Sequence, residues 1–238
     1  MTSVELVLGA LAVAAGSSLQ RLTGFGANLV AVPLLLLIDA RFIPGPIVVA
    51  GTLLNLLSSY REDSGDILRD VRWTIAGQLP GALGAAIVLA GAPQRALTLV
   101  FAGSVFLAAM ASASGWRPPI NHPTLLGAGV ASGFFGTVAG IGGPPVALLW
   151  QDAGGPALRA SLARHFLAGA LISIPLLMLA GRLGPGELLV SLALIPGTLV
   201  GFAFSGPLTR MLDGRSVRVM VIVLSALSAV AVVLRELL

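Results

Sequence analysis

The chain has 238 residues, 56% of them hydrophobic and only 10% charged, with a mean hydropathy of +0.98. A soluble globule carries about 25% charged residues, so this composition excludes a water-soluble fold and requires lipid around the chain. The formal charge of +4 comes from 14 basic residues, all arginine, that flank apolar runs; this pattern points to membrane topology and anionic headgroups, not to nucleic acid.

The first apolar stretch, Val4 to Leu19, lacks a basic leader and an A-x-A-like cleavage site and is expected to be a retained helix. Further apolar elements are predicted at 25–38, 43–60, 72–91 and 95–113, then at 124–138, 142–151, 159–180, 186–206 and 216–235. Several belong to charge-free windows of roughly 18 to 20 residues, long enough to cross a hydrocarbon core of about 30 Å as a helix. The expected fold is therefore an all-α, polytopic integral membrane protein. The sequence contains no cysteine, which excludes disulfides and thiolate chemistry, and no cofactor is expected.

The elements fall into two sets of five. At an offset of 116, Gly24-Phe25-Gly26 recurs as Gly140-Ile141-Gly142 and Pro80-Gly81 as Pro196-Gly197; with one gap, Val13-Ala14-Ala15-Gly16 matches Val130-Ala131-Ser132-Gly133. The chain reads as a duplication, with one membrane repeat at 1–116 and the other at 117–238. In each half the first two elements are expected to be short and are joined through the glycine motif without a polar loop. They either both cross as tight helices or form a re-entrant pair. Each half then crosses an odd number of times, so the repeats are expected to be inverted. Under inversion Arg61, Arg69, Arg72, Arg117, Arg159, Arg164, Arg210, Arg215 and Arg218 share one face, and Arg41, Arg95, Arg182 and Arg235 the other. By the positive-inside rule the richer face is cytoplasmic and both termini lie outside.

The glycine motifs are the first candidates for a site. Glycine admits unusual backbone and close approach, and the peptide N–H groups at the start of the following helix attract anions. Gly24, Phe25 and Gly26 precede one such start, and Gly140, Ile141, Gly142 and Gly143, followed by Pro144 and Pro145, precede another. Close helix packing is the plainer reading of the same glycines. All ten carboxylates fall at element ends or in loops, which argues against a cation substrate. Arg21, three residues before Gly24, either meets an anion or snorkels to an interface. Thr23, Asn28, Asn55, Gln78 and Thr137 can hydrogen-bond a substrate oxygen or a neighbouring helix. His165 is either a packing histidine or a proton carrier.

Thr23-Gly24-Phe25-Gly26 followed by Val32-Pro33-Leu34-Leu35, then Gly140-Ile141-Gly142-Gly143-Pro144-Pro145 and Arg159-Ala160, resembles the TauE/SafE family of sulfite exporters over nearly the whole chain. The resemblance implies a bacterial inner-membrane permease of two homologous halves that moves sulfite, sulfonates or related organosulfur and carboxylate anions. Ala27 and Asn28 stand where the second half has Gly143 and Pro144, a departure from the usual first-half pattern. The expected partners are a small anionic substrate and membrane lipids, with homo-oligomerisation left open. The alternatives are a membrane-embedded enzyme, for which Ser114-Gly115 and His165 are the nearest material, and a non-transporting membrane subunit. No G-x-S-x-G, H-E-x-x-H or carboxylate pair supports the enzyme.

Overall fold

The computed structural model describes residues 1–23, 27–61, 70–150 and 155–211, with single positions at 219, 223, 227, 230, 231 and 234. Among these residues all regular structure is helical. The elements are α1 (Ser3–Thr23), α2 (Ala27–Ile38), a 3-10 turn (Ala40–Phe42), α3 (Gly45–Arg61), α4 (Val71–Gly91), α5 (Gln94–Ala113), α6 (His122–Ala139), α7 (Gly143–Leu149), α8 (Gly155–Leu179) and α9 (Pro185–Met211). The expected element at 216–235 lies largely outside the described residues; its six described positions are helical.

Local chemistry accounts for the boundaries around α6. Asn121 and Thr124 form a reciprocal capping box at its start, and Gly140, at φ 74°, closes it in the left-handed conformation that a residue with a Cβ avoids. One expectation is corrected: α1 and α6, with 21 and 18 residues, are not short. At 1.5 Å per residue each extends about 27 Å or more. The short members are α2 and α7, with 12 and 7 residues. Each folds back along its predecessor: Gly16 of α1 faces the Ala27 carbonyl and the Ala31 side chain, and Gly142 lies against Ser132 and Gly136 of α6.

Two helix pairs frame the bundle. α1 packs along α9 and α4 along α6, and both contacts are made by glycine. Gly197 faces Ala10 and Gly201 faces Ala14 and Ser17, so α1 and α9 run in the same direction. Gly77 faces Leu126 and Gly129, and Gly81 faces Val130 and Phe134, so α4 and α6 are parallel as well. A Cβ on any of these glycines would strike the backbone of the neighbouring helix. α3 and α8 pack on each other between the pairs, α3 also touching α9 and α8 also touching α4.

The helix ends sort into two layers. At one end Phe42 fills the space beside Gly9, Gly45 meets the Arg182 backbone, and the Arg182 guanidinium donates to the Leu89 and Ala92 carbonyls at 2.8–3.3 Å. At the other, Arg61 donates to the Phe202 carbonyl and Ser205 Oγ, Trp73 stacks on His122, and Val71, Leu125, Leu149, Trp150 and Leu162 form a small apolar cluster. Between the layers the outward surface is apolar, with Leu11, Ile87, Leu189 and Phe204 exposed. Among the described residues four helices are long and apolar enough to cross a membrane: α1, α4, α8 and α9. Outward leucine and phenylalanine are the expected finish for a surface that meets lipid.

The glycine contacts lead to a stability prediction. Gly81→Ala places a Cβ on the Val130 carbonyl and should force α4 and α6 apart, lowering stability by about 1–3 kcal/mol as overpacking does. Gly103→Ala on α5, where nothing lies within 4 Å, should instead be neutral or stabilising by about 0.5–1 kcal/mol. Unfolding in mixed micelles distinguishes the two; equal midpoints would deny the glycine contact its role.

Candidate functional site

A cavity of about 80 Å³ lies inside the bundle where the start of α2 approaches the turn preceding α7. Its size exceeds several times what one water needs. Ala27 and Asn28 from the start of α2 line it, with Gly140, Ile141, Gly142 and Gly143 from the turn before α7. α3 contributes Gly51 and Asn55, α4 Gln78, α6 Ser132, and α8 Gly169 and Ser173. These positions fall near the middle of their helices, so the cavity sits at mid-depth in the bundle.

The start of α2 is joined to the turn before α7 by Asn28, whose Nδ2 donates to the Gly140 carbonyl at 2.7 Å across 112 residues of sequence. Gln20 Oε1 accepts from the Ala27 N–H at 3.1 Å, occupying one of the first backbone donors of α2. The described lining residues carry no formal charge. They offer amides at Gln20, Asn55 and Gln78, hydroxyls at Ser132 and Ser173, and peptide groups at the glycines. Such a set holds a small polar or anionic molecule by hydrogen bonds without an ion pair.

Behind the lining lies a buried polar network. His165 of α8 is fully buried; its Nδ1 lies 2.9 Å from Thr74 Oγ1, and its Nε2 lies 2.6 Å from Gln78 Nε2 and 2.9 Å from Ser132 Oγ. Thr74 Oγ1 donates its own proton to the Val71 carbonyl at 2.8 Å, so it accepts from His165 Nδ1–H. Gln78 Nε2 donates to the His165 carbonyl at 2.9 Å, which orients the amide with its NH2 toward the ring. His165 Nε2 is then the acceptor, and the ring is the neutral Nδ1–H tautomer. Gln78 Oε1 is left buried with no hydrogen-bond partner, facing Gly169.

Of the residues singled out from sequence, Asn28, Asn55, Gln78, Gly140, Ile141, Gly142 and Gly143 come together at the cavity, and His165 stands directly behind Gln78. Gly24, Phe25 and Gly26 lie outside the described residues, as do the side chains of Arg21 and Thr23. Gln20, Ser132, Ser173 and Thr74 were not singled out. Ser132 had a signal, since it stands inside the Val130-Ala131-Ser132-Gly133 repeat match. Ser114 is exposed at the end of α5 and bonded to the Ala111 carbonyl, away from His165. Ser132 does meet His165, but a threonine hydroxyl occupies the position on Nδ1 that a carboxylate fills in a hydrolytic triad.

Membrane-length helices, an apolar girdle and an internal cavity with several polar lining groups define an α-helical membrane protein. Residues 8–232 match the family model described as Sulfite exporter TauE/SafE, and the chain belongs to that family of membrane transporters. No curated protein and no solved structure matches the chain closely enough to carry an inference.

The network gives a second prediction. Thr74→Val keeps the side-chain shape but leaves His165 Nδ1–H buried without an acceptor, and should destabilise the protein by about 1–3 kcal/mol. Unfolding in mixed micelles measures the loss; wild-type stability in Thr74→Val would disprove the tautomer assignment.

Proposed function

We propose that this chain exports small anions of the sulfite, sulfonate and related organosulfur or carboxylate class, by alternating access between two inverted halves, residues 1–116 and 117–238. The observation that carries the reading is the composition of the cavity: hydrogen-bond donors from both glycine-motif regions, and no carboxylate among the described lining residues. A carboxylate-free site at mid-depth repels no anion and offers no ligand set for a cation. The apolar body around it makes each donor worth more than it would be in water.

The packing supports the inverted arrangement. Matching the halves at the glycine motifs pairs α1 with α6, α2 with α7, α3 with α8 and α4 with α9. Under that exchange the α1 and α9 contact maps onto the α6 and α4 contact, and the α3 and α9 contact onto that of α8 and α4. The parallel sense of both glycine-mediated pairs follows if successive helices alternate in direction through the chain, which makes α1 and α6 antiparallel. Arg61, Arg72, Arg117 and Arg159 belong to one end of the bundle and Arg41 and Arg182 to the other. The richer end is the cytoplasmic one in a bacterial inner membrane, with both termini outside. One half rocking against the other then exposes the cavity alternately to the two sides.

The site is tested by thermal unfolding of detergent-purified protein with sulfite, sulfate, thiosulfate, sulfoacetate, taurine and small carboxylates. A ligand of the native state should stabilise by about 2.7 kcal/mol at a hundredfold excess over its Kd. Gly142→Leu, whose side chain would enter the cavity beside Ser132, should remove both the shift and flux in liposomes. Normal flux in Gly142→Leu, or no shift with any anion, would refute the assignment.

A further inference from the structure

The cavity explains how an anion is held but leaves two features unused: a fully buried histidine behind the lining, and a buried acceptor, Gln78 Oε1, with nothing to accept from. We propose that His165 is a proton site coupled to the anion site through Gln78, so that the protein carries one proton with each monovalent anion. The proposal deepens the anion reading above and rests on it.

In the present arrangement the Gln78 NH2 is committed to His165, bonding both ring Nε2 and the backbone carbonyl. A proton arriving from water adds to the Nε2 lone pair, and no other bond to hydrogen is broken. Nε2 then carries an N–H, and the Gln78 NH2 2.6 Å away becomes a donor facing a donor. The amide must turn, giving up its bond to the His165 carbonyl and moving clear of that oxygen, while the Ser132 hydroxyl turns its proton away from Nε2. The amide's unpaired Oε1 accepts the new N–H, a charge-assisted bond, while the NH2 is released toward the Gly169 side, where both residues line the cavity. An anion oxygen there receives the freed NH2 and sits close to the imidazolium charge. Proton and anion therefore favour each other's binding, and linkage makes the effect reciprocal. The loaded pair has no net charge, which removes most of the electrostatic cost of moving it through a dry interior, and its direction follows the combined gradients: export proceeds when the outward anion gradient exceeds the inward proton gradient.

The room for the turn comes from Gly169: a Cβ there would lie 2.8 Å from Oε1 and 3.2 Å from Nε2 of Gln78. Among the described residues no other titratable group is bonded to the ring. The groups touching it are Thr74 and Gln78 of α4, Ser132 of α6 and Phe166 of its own helix. The elements packed on α8 carry, among the described residues, Tyr60 and Arg61 on α3, Asp70 and Arg72 at the start of α4, His122 on α6 and none on α7. α8 itself adds Arg159 and Arg164, and none of these is bonded to the imidazole.

The test uses proteoliposomes with potassium and valinomycin holding the potential at zero, labelled methanesulfonate and labelled sulfite as separate probes, and protein-free vesicles as background. Methanesulfonate keeps a single charge throughout, so its accumulation cannot come from diffusion of a neutral acid. With acid outside, each pH unit should accumulate an exchanging anion inside by about tenfold at a one-to-one ratio. Exchange of labelled anion without any response to the pH gradient, or accumulation toward the acid side, overturns the proton site and leaves the anion reading intact. Exchange of neither probe overturns both. Gly169→Ala, which keeps His165 but crowds the Gln78 amide, should slow pH-driven accumulation by at least about tenfold; a wild-type rate overturns the amide turn. His165→Asn cannot carry the charge, and pH-driven accumulation that survives in it moves the proton elsewhere and overturns the assignment.

Discussion

The structure depends on backbone meeting backbone across α1 and α9 and across α4 and α6. Lipid offers helices no hydrophobic reason to associate, because a leucine is as comfortable against an acyl chain as against another helix. What remains is dispersion at close range, and it grows only if side chains are absent from the contact. Gly77, Gly81, Gly129 and Gly133 provide that on one side of the bundle, and Gly197 and Gly201 on the other. The two tight pairs hold the frame, and the remaining helices need not be close-packed at their centre. The cavity between them is a consequence of that division.

The same absence of side chains lets the chain reverse inside the bundle. Gly16 and Gly142 allow α2 and α7 to lie back on the helices that precede them, and Gly140 supplies the left-handed turn. Reversal at mid-depth brings peptide groups into a region where each unpaired one costs several kcal/mol, roughly. Much of that polarity is met locally: Asn28 answers the Gly140 carbonyl, Gln20 answers the Ala27 N–H, and Thr137 bonds Ser173 on the adjoining helix.

Most of the architecture was legible in the sequence because apolar length and glycine spacing are one-dimensional signals. Element positions, and Asn55 and Gln78 as polar residues within apolar helices, could be read from it. The helices flanking each motif were harder: α1 and α6 looked short because their ends carry glycine, serine and glutamine instead of long apolar runs. Ser132, Ser173 and Thr74 were missed for a different reason. A hydroxyl on a membrane helix usually bonds its own backbone one turn back, as Ser104, Ser161 and Ser191 do, and nothing in the sequence tells those from a hydroxyl turned toward a partner helix. Only the crossing of α4, α6 and α8 decides which is which. His165 was visible as a polar residue in an apolar helix, but its tautomer depends on Thr74 and Gln78, 91 and 87 positions away.

A site made of neutral donors suits turnover better than one made of buried cations. An arginine placed against a small anion at mid-depth would form an ion pair that low dielectric makes very tight, and empty it would be an uncompensated charge whenever the anion left. Transport requires the solute to leave as readily as it enters, so binding must be shared among several modest interactions. Amides at Asn55 and Gln78 and hydroxyls at Ser132 and Ser173 meet that condition: each can return to a protein or water partner when the solute departs. Arg61 and Arg182 accordingly lie toward opposite ends of the bundle, where they hydrogen-bond backbone carbonyls and can meet lipid headgroups, and the described residues lining the cavity carry no permanent charge.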